Sequence, residues 1–425
     1  MPTSISTTSQ AERGISVSDA DVLGGMTMTK TLNETPNANR LHIGFFGKRN
    51  SGKSSLINAF TGHEVSIVSD VAGTTTDPVY KAMEIHPIGP CVLIDTAGFD
   101  DEGELGKIRV EKTVLASDKT DIAVIVISGT DFDEEEKWYR QFRERKTPVL
   151  VVVNKADAID SKKVADEVKK RLGTAPVVTS AATGEGITRM KDAIIRLVPE
   201  DYGEQTILGD LVGEGDLVLL VMPQDIQAPK GRLILPQVQT LRELLDKKCL
   251  VMSVTTDKLE EGLKAMSSAP KLIITDSQVF KTVYDKKPKE SMLTSFSVLF
   301  AGYKGDLPYY LEGAEAVEAL TEDSRVLIAE CCTHAPLTED IGREKLPRLL
   351  RNKVGQGLTV DIVSGMDFPE DLTGYDLIIQ CGACMFNRKY VLSRIDRAKS
   401  QGVLMSNYGV VIAHLTGILD KISYK

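Results

Sequence analysis

The sequence predicts an α/β protein, a P-loop domain followed by two smaller α/β domains, and three observations carry that prediction. From Arg40 to about Val198, short apolar runs alternate with longer amphipathic segments, the pattern of a parallel sheet flanked by helices. Within that stretch Gly47-Lys48-Arg49-Asn50-Ser51-Gly52-Lys53-Ser54 has the spacing G-x-x-x-x-G-K-S, placed between an apolar run and a helical one. Two later stretches repeat the alternation without such a loop. The 425 residues also exceed one ordinary core, since single domains run to about 100–200 residues.

Taken in order, residues 1–38 are rich in Ser, Thr, Gly and Asn with little periodicity and are expected to be a disordered tail, unable to bury enough apolar surface to offset their ordering entropy. Glu12, Asp19 and Asp21 argue against a transit peptide there. The first domain, 39–200, is expected to hold strands at Leu41–Phe46, Cys91–Ile94, Ile122–Ile127, Val149–Val153 and Val177–Val178, with Pro199 closing it. The second, 206–290, offers strands at Leu217–Val221, Leu250–Val254 and Leu272–Thr275, with helices at Val238–Lys247 and Leu259–Met266. The charged, Pro-interrupted run Tyr284-Asp285-Lys286-Lys287-Pro288-Lys289 reads as a linker or surface turn. The third, 291–425, places strands at Val326–Ala329, Thr359–Val363 and Leu377–Ile379, and helices near Ala314–Leu320, Arg343–Leu350 and Arg388–Lys399.

Composition narrows the functions. Hydrophobic residues are 42% and charged residues 26%, an ordinary soluble balance. Acidic residues outnumber basic ones by 60 to 51, so a chain that grips long nucleic acid is not expected. No stretch approaches the roughly 18 apolar residues of a membrane helix, and no apolar signal-peptide core is visible, so the expected location is the cytoplasm.

The chemistry begins at the Gly-rich loop. Glycines let backbone amides close around phosphates, and the N-terminus of the helical run Ser55-Leu56-Ile57-Asn58-Ala59-Phe60 favours their charge. Lys53 is expected to reach the β- and γ-phosphates and Ser54 to ligate magnesium. Asp95-Thr96-Ala97-Gly98 ends a strand, where Asp95 can hold Mg2+ through water and Gly98 can bond the γ-phosphate. Asn154-Lys155-Ala156-Asp157 ends another. The Asp157 carboxylate can accept from the N1 and N2 protons of guanine, a donor pair that adenine lacks, so the nucleotide is GTP. Ser180-Ala181-Ala182 then offers a backbone amide to the guanine O6. Together they predict a P-loop GTPase domain that hydrolyses GTP to GDP and phosphate.

These residues resemble the bacterial translation-factor-like GTPases, and within them the tRNA-modifying and ribosome-assembly branch. Gly73-Thr74-Thr75-Thr76-Asp77 looks like that branch's first switch, which implies that Thr75 closes over magnesium and the γ-phosphate. Phe99 follows Gly98 where Ras-like enzymes carry a water-orienting Gln, so hydrolysis is expected to be slow or to rely on another device. In the resembling branch, an Asn at the position of Asn50 binds K+ in place of an arginine finger. A loop-shaping hydrogen bond is the alternative role for Asn50.

Six cysteines complete the inventory. Cys91 and Cys249 each open an apolar run and read as buried structural residues. Cys332-Thr333-His334 and Cys381-Gly382-Ala383-Cys384 each follow an apolar strand, the edge where parallel sheets place ligand sites. Chemistry alone leaves open structural zinc on Cys332, His334, Cys381 and Cys384, an iron–sulfur cluster on three thiolates, or buried thiols without metal.

From about Leu32 to the C-terminus, the lead-in Asn33–Arg40, the GTPase core, the middle domain and the terminal cysteines resemble the GTPase family among the FeFe-hydrogenase maturases (HydF). That family binds a 4Fe-4S cluster through C-x-H, a gap of several dozen residues, and H-C-x-x-C. The resemblance implies thiolate ligands at Cys332, Cys381 and Cys384 and an imidazole at His334, a possible fourth ligand. Gln380 stands where the family has its second histidine, and Cys331 has no place in the motif and is expected to pack at the strand end. Implied with it are a scaffold or carrier that takes a di-iron precursor from radical-SAM maturases to apo FeFe-hydrogenase, and a middle domain that makes a homodimer or higher homo-oligomer. The alternative is a ribosome- or tRNA-directed GTPase with a terminal zinc-binding domain.

Overall fold

The computed structural model describes residues 36–62, 78–98, 103–199, 202–203, 205–223, 233–331 and 340–424, with no side-chain account of 103–106. The expected tail up to residue 35, the switch with Thr75, Phe99, and Cys332, Thr333 and His334 lie outside the described residues.

The first domain is built on β1 (Leu41–Phe46), β2 (Val79–Ile85), β3 (Gly89–Asp95), β4 (Ile122–Ile127), β5 (Val149–Val153) and β6 (Val177–Val178), in the order β2-β3-β1-β4-β5-β6. Only β2 runs antiparallel to its neighbour. β1 and β4 are buried along their whole lengths, which is why they read as mainly apolar runs. Helices α1 (Lys53–Thr61), α2 (Gly103–Ser117), α3 (Asp133–Glu144), α4 (Ser161–Leu172) and α5 (Ile187–Leu197) cover the sheet. Leu41, Ile43 and Phe45 pack with Leu56 and Ile194 on one face, and Phe46 stacks on Trp138 on the other. β2 has no place in the sequence reading because its pattern is broken by Lys81, which is buried and donates to Asn58 Oδ1 at 2.7 Å.

The middle sheet holds β7 (Leu217–Val221), β8 (Leu250–Val254), β9 (Leu272–Thr275) and β10 (Met292–Ser295), all parallel in the order β10-β9-β7-β8. Its helices are α6 (Leu235–Asp246), α7 (Leu259–Ala265), α8 (Phe280–Lys286) and α9 (Phe296–Lys304). Two features depart from the sequence reading. α8 runs through the expected linker as far as Lys286, and β10 extends the sheet past residue 290.

The third sheet orders β11 (Arg325–Ala329), β12 (Thr359–Val363), β13 (Leu377–Gln380) and β14 (Leu404–Asn407) as β12-β11-β13-β14, again all parallel. Around it lie α10 (Leu307–Glu315), α11 (Leu346–Val354), α12 (Arg388–Ser400) and α13 (Tyr408–Leu415). The helix expected near Ala314–Leu320 is instead the end of α10 followed by a 3-10 turn, Ala316–Ala319. Middle and third domains share one apolar core, in which Ile273, Leu293 and Val298 join Ile328, Ile379 and Val410.

The third domain also meets the first. Asp118, in the turn between α2 and β4, accepts from Arg145 at 2.8 Å and from Arg397 of α12 at 3.1 Å. Asn387 donates to the Lys119 carbonyl at 2.8 Å, and the Lys119 ammonium lies 4.7 Å from the Phe386 ring centroid.

Candidate functional site

The Gly-rich loop is wedged between two strand ends. A Cβ on Gly47 would lie 2.4 Å from the Val126 carbonyl oxygen, and one on Gly52 2.5 Å from Asn154 Nδ2, so both positions require glycine. Gly52 sits in the left-handed region at φ 91, and Asn50 joins it at φ 58. Lys53 is buried, and its Nζ donates to the carbonyls of Gly47 and Lys48, each at 2.9 Å. The Lys48 amide donates to Glu135 Oε1 at 2.9 Å, a buried carboxylate on α3 that the sequence reading missed.

Asp95 ends β3 beside the loop. Burial pushes its carboxyl above the usual range, opposed by a hydrogen bond from Ser54 and the nearby charges of Lys53 and Lys81. Its buried Oδ1 has no partner among the described residues. A Cβ on Gly98 would fall 2.5 Å from the Arg49 nitrogen, so this strand end touches the loop backbone. Ser51 is fully buried, with its hydroxyl oxygen also without a partner among the described residues.

Asn154 joins the other two motifs. Its Nδ2 donates to the Ser51 carbonyl at 3.1 Å, and its Oδ1 accepts from the Ala181 amide at 3.2 Å. Lys155 follows at φ 63, and Ser180 Oγ donates to Asp157 Oδ1 at 2.5 Å, which fixes the carboxylate's orientation. Loop, Asp95 and the Asn154–Asp157 and Ser180–Ala181 segments therefore share the carboxyl end of one sheet. Asn154 spends its amide on holding the loops together.

The cysteine groups follow β11 and β13, which are neighbours with Ala329 opposite Gln380. The Cys331 amide donates to Cys381 Sγ at 3.0 Å, and the buried Arg394 guanidinium donates to Cys331 Sγ at 3.2 Å. Contact with Cys381 and then burial push the Cys331 thiol well up, and its place at the strand end is that of a buried packing residue. Cys381 and Cys384 are half-buried, joined by a turn in which Ala383 takes φ 48. Lys304, the last residue of α9, is buried against that turn: its Nζ donates to the carbonyls of Ala383 at 3.0 Å, Cys384 at 3.3 Å and Phe386 at 2.9 Å. In sequence it reads as a surface lysine, and nothing there signals this role. Gln380 is fully buried, and among the described residues neither its amide nitrogen nor its oxygen has a partner; the buried Tyr310 and Tyr408 hydroxyls have none there either. Among the described residues no three His, Cys, Asp or Glu side chains form a metal-binding group, Cys332 and His334 lying outside them. Among the described residues, too, no helix is long and apolar enough to cross a membrane.

Comparison with known proteins divides the chain the same way. A family model described as a 50S ribosome-binding GTPase matches residues 42–155, the hydrogen maturase F dimerization domain matches 207–305, and the hydrogen maturase F tetramerization domain matches 308–423. The GTPase Der of Wolinella succinogenes is 40% identical over 178 residues, 39% of this chain and 37% of that protein. The tRNA modification GTPase MnmE of Acetivibrio thermocellus is 34% identical over 155 residues, 36% of this chain and 33% of that protein. The chain thus spans less than half the length of these two relatives. A solved structure of Aquifex aeolicus Era matches at 21% identity and a TM-score of 0.33, over 53% of this chain and 98% of that one.

Proposed function

The chain belongs to the hydrogen maturase F family, with a GTPase domain followed by that family's dimerization and tetramerization domains, and from this premise we propose that it is a cytoplasmic, GTP-hydrolysing, 4Fe-4S-binding scaffold that assembles or delivers the di-iron precursor of an FeFe-hydrogenase. The observation that carries this reading is the union in one chain of a GTPase domain and a terminal domain whose cysteines follow two adjacent parallel strands.

At the nucleotide end, Lys53 exchanges the carbonyls of Gly47 and Lys48 for the β- and γ-phosphates, which the loop amides up to Ser54 and Ser55 surround. Ser54 holds Mg2+, with Thr75 closing over it and Asp95 acting through water; the unpartnered Asp95 oxygen beside Ser54 suits that role. Gly98 meets the γ-phosphate. Asp157 reads guanine, with Asn154 and Lys155 shaping the loop and Ser180 and Ala181 supplying the backbone contact. Asn50 holds K+, whose charge takes the part of an arginine finger, and Phe99 leaves the water-orienting position of Ras-like enzymes without a Gln.

At the other end, Cys332, Cys381 and Cys384 are the thiolates and His334 an exchangeable fourth group. The residues suit an anionic cluster: Gln380, Tyr310 and Tyr408 are buried donors without an acceptor among the described residues. When bound, the cluster supplies an iron without a cysteine, open to exchange. The dimerization and tetramerization domains support a homo-oligomer, and the partners are radical-SAM maturases and the apo-hydrogenase. GTP turnover times their exchange.

Transfer tests the proposal. The chain purified from cells that also make the radical-SAM maturases should activate apo FeFe-hydrogenase, and the chain made without them should not. Equal activation, or none, from both would contradict a carrier. A GTPase acting on ribosomes or tRNA with a zinc domain would instead carry zinc and no sulfide.

A further inference from the structure

We infer that Lys304 is a positioning residue for the cysteine site, its buried ammonium holding the Cys381–Cys384 turn and supplying the positive charge against which the thiolate-bound cluster is stabilised. The inference rests on the proposed cluster-binding function.

A lysine is almost never fully buried unless its charge is met, because the desolvation of an ammonium is worth several kcal/mol. Lys304 is only 3% exposed. Its three donor directions meet the carbonyls of Ala383, Cys384 and Phe386, all within the six-residue stretch from Cys381 to Phe386. That stretch has reason to need a staple. Ala383 is held at φ 48, a conformation that L-residues adopt at a cost and that persists only where the surroundings enforce it. With the ammonium removed, three buried carbonyls would lose their donor, and the turn that spaces Cys381 from Cys384 would lose its constraint.

A neutral staple would serve shape alone, and a well-packed apolar residue is often as stabilising as a buried charge. The charge has a use at this place. A cubane cluster on three thiolates is anionic in both its oxidised and reduced states, and its reduction adds a further negative charge. A second buried cation, Arg394, donates to Cys331 Sγ, one residue before Cys332 and in contact with Cys381. Lys304 on α9 and Arg394 on α12 thus bring positive charge to the cysteine loops from two helices. The ammonium favours the reduced form and raises the cluster's potential.

The test compares Lys304→Gln and Lys304→Arg with the wild type in the full-length chain after anaerobic reconstitution with iron and sulfide. The Gln amide can still donate to the turn carbonyls, whereas Arg keeps the charge. Lys304→Gln should lose iron to a chelator about ten- to a hundredfold more readily and show a more negative reduction potential. Lys304→Arg should keep its iron and its potential near the wild-type values. GTP hydrolysis should be unchanged in both, which certifies the fold of the first domain. A Lys304→Gln chain that keeps the wild-type potential and iron retention overturns the inference; so does a folded Lys304→Arg chain that loses the cluster, and this second outcome remains decisive if the Gln variant fails to fold. Wild-type chain that takes up no iron and sulfide would instead sink the cluster-binding reading itself.

Discussion

In the proposed function, Asn50 is the residue on which the chemistry of hydrolysis turns. It stands at φ 58 in the phosphate loop, within the left-handed region that asparagine tolerates better than most residues. A residue chosen only for that backbone shape could be replaced by glycine without loss, whereas a K+ ligand could not. Hydrolysis should therefore run faster in K+ than in Na+, and Asn50→Gly should abolish the difference while leaving the rate in Na+ little changed. Steady-state phosphate release in matched chloride salts measures it; equal rates in the two salts for the wild type would reduce Asn50 to a shaping residue. The motif glycines were legible from spacing, because the wedge between Val126 and Asn154 admits nothing larger. Glu135 and Lys304 were not, since a charged residue in an amphipathic segment reads as solvent-facing until a distant amide or carbonyl is seen to meet it.

Among the elements, the strands that could be read were the mainly apolar runs, some buried on both faces like β4 and β5 and some partly exposed like β8 and β12. β4 and β5 are unbroken apolar runs, and β1 is broken only by His42, itself buried, and Gly44. β10 and β14 end in Thr-Ser and Ser-Asn, whose polar side chains are buried, so hydropathy alone hides them. The expected boundary at 290 fell short for the same reason, and the shared core of the middle and third domains leaves no polar linker to mark it. The contact between the α2–β4 turn and α12 carries a pH dependence. Burial holds the His42 imidazole down at about 4, and raises the neighbouring Asp121 carboxyl to about 6. The folded chain keeps His42 neutral where the unfolded chain takes a proton near 6.5, so this contribution is present above that pH and is lost as pH falls towards 4. Asp121 works the other way, gaining a proton in the folded state first as pH falls through 6. His42→Asn isolates the first effect: between pH 7 and pH 5 its unfolding free energy should improve relative to wild type by about 2 kcal/mol. Urea unfolding at the two pH values measures it, and a difference that does not change with pH would show that His42 titrates normally.

Across the whole molecule, nucleotide and cysteine sites lie in different sheets joined by the Asp118–Asp121 turn, so chemistry at one should be separable from metal content at the other. Lys53→Ala removes the charge that meets the β- and γ-phosphates, and hydrolysis should fall by about a hundredfold or more. The measurement that bears most directly on the central claim is the iron, acid-labile sulfide and zinc content of anaerobically purified wild type and Lys53→Ala. The account predicts about four iron and four sulfide per chain in both proteins, with little zinc. Zinc in place of iron with no sulfide in the wild type would contradict it.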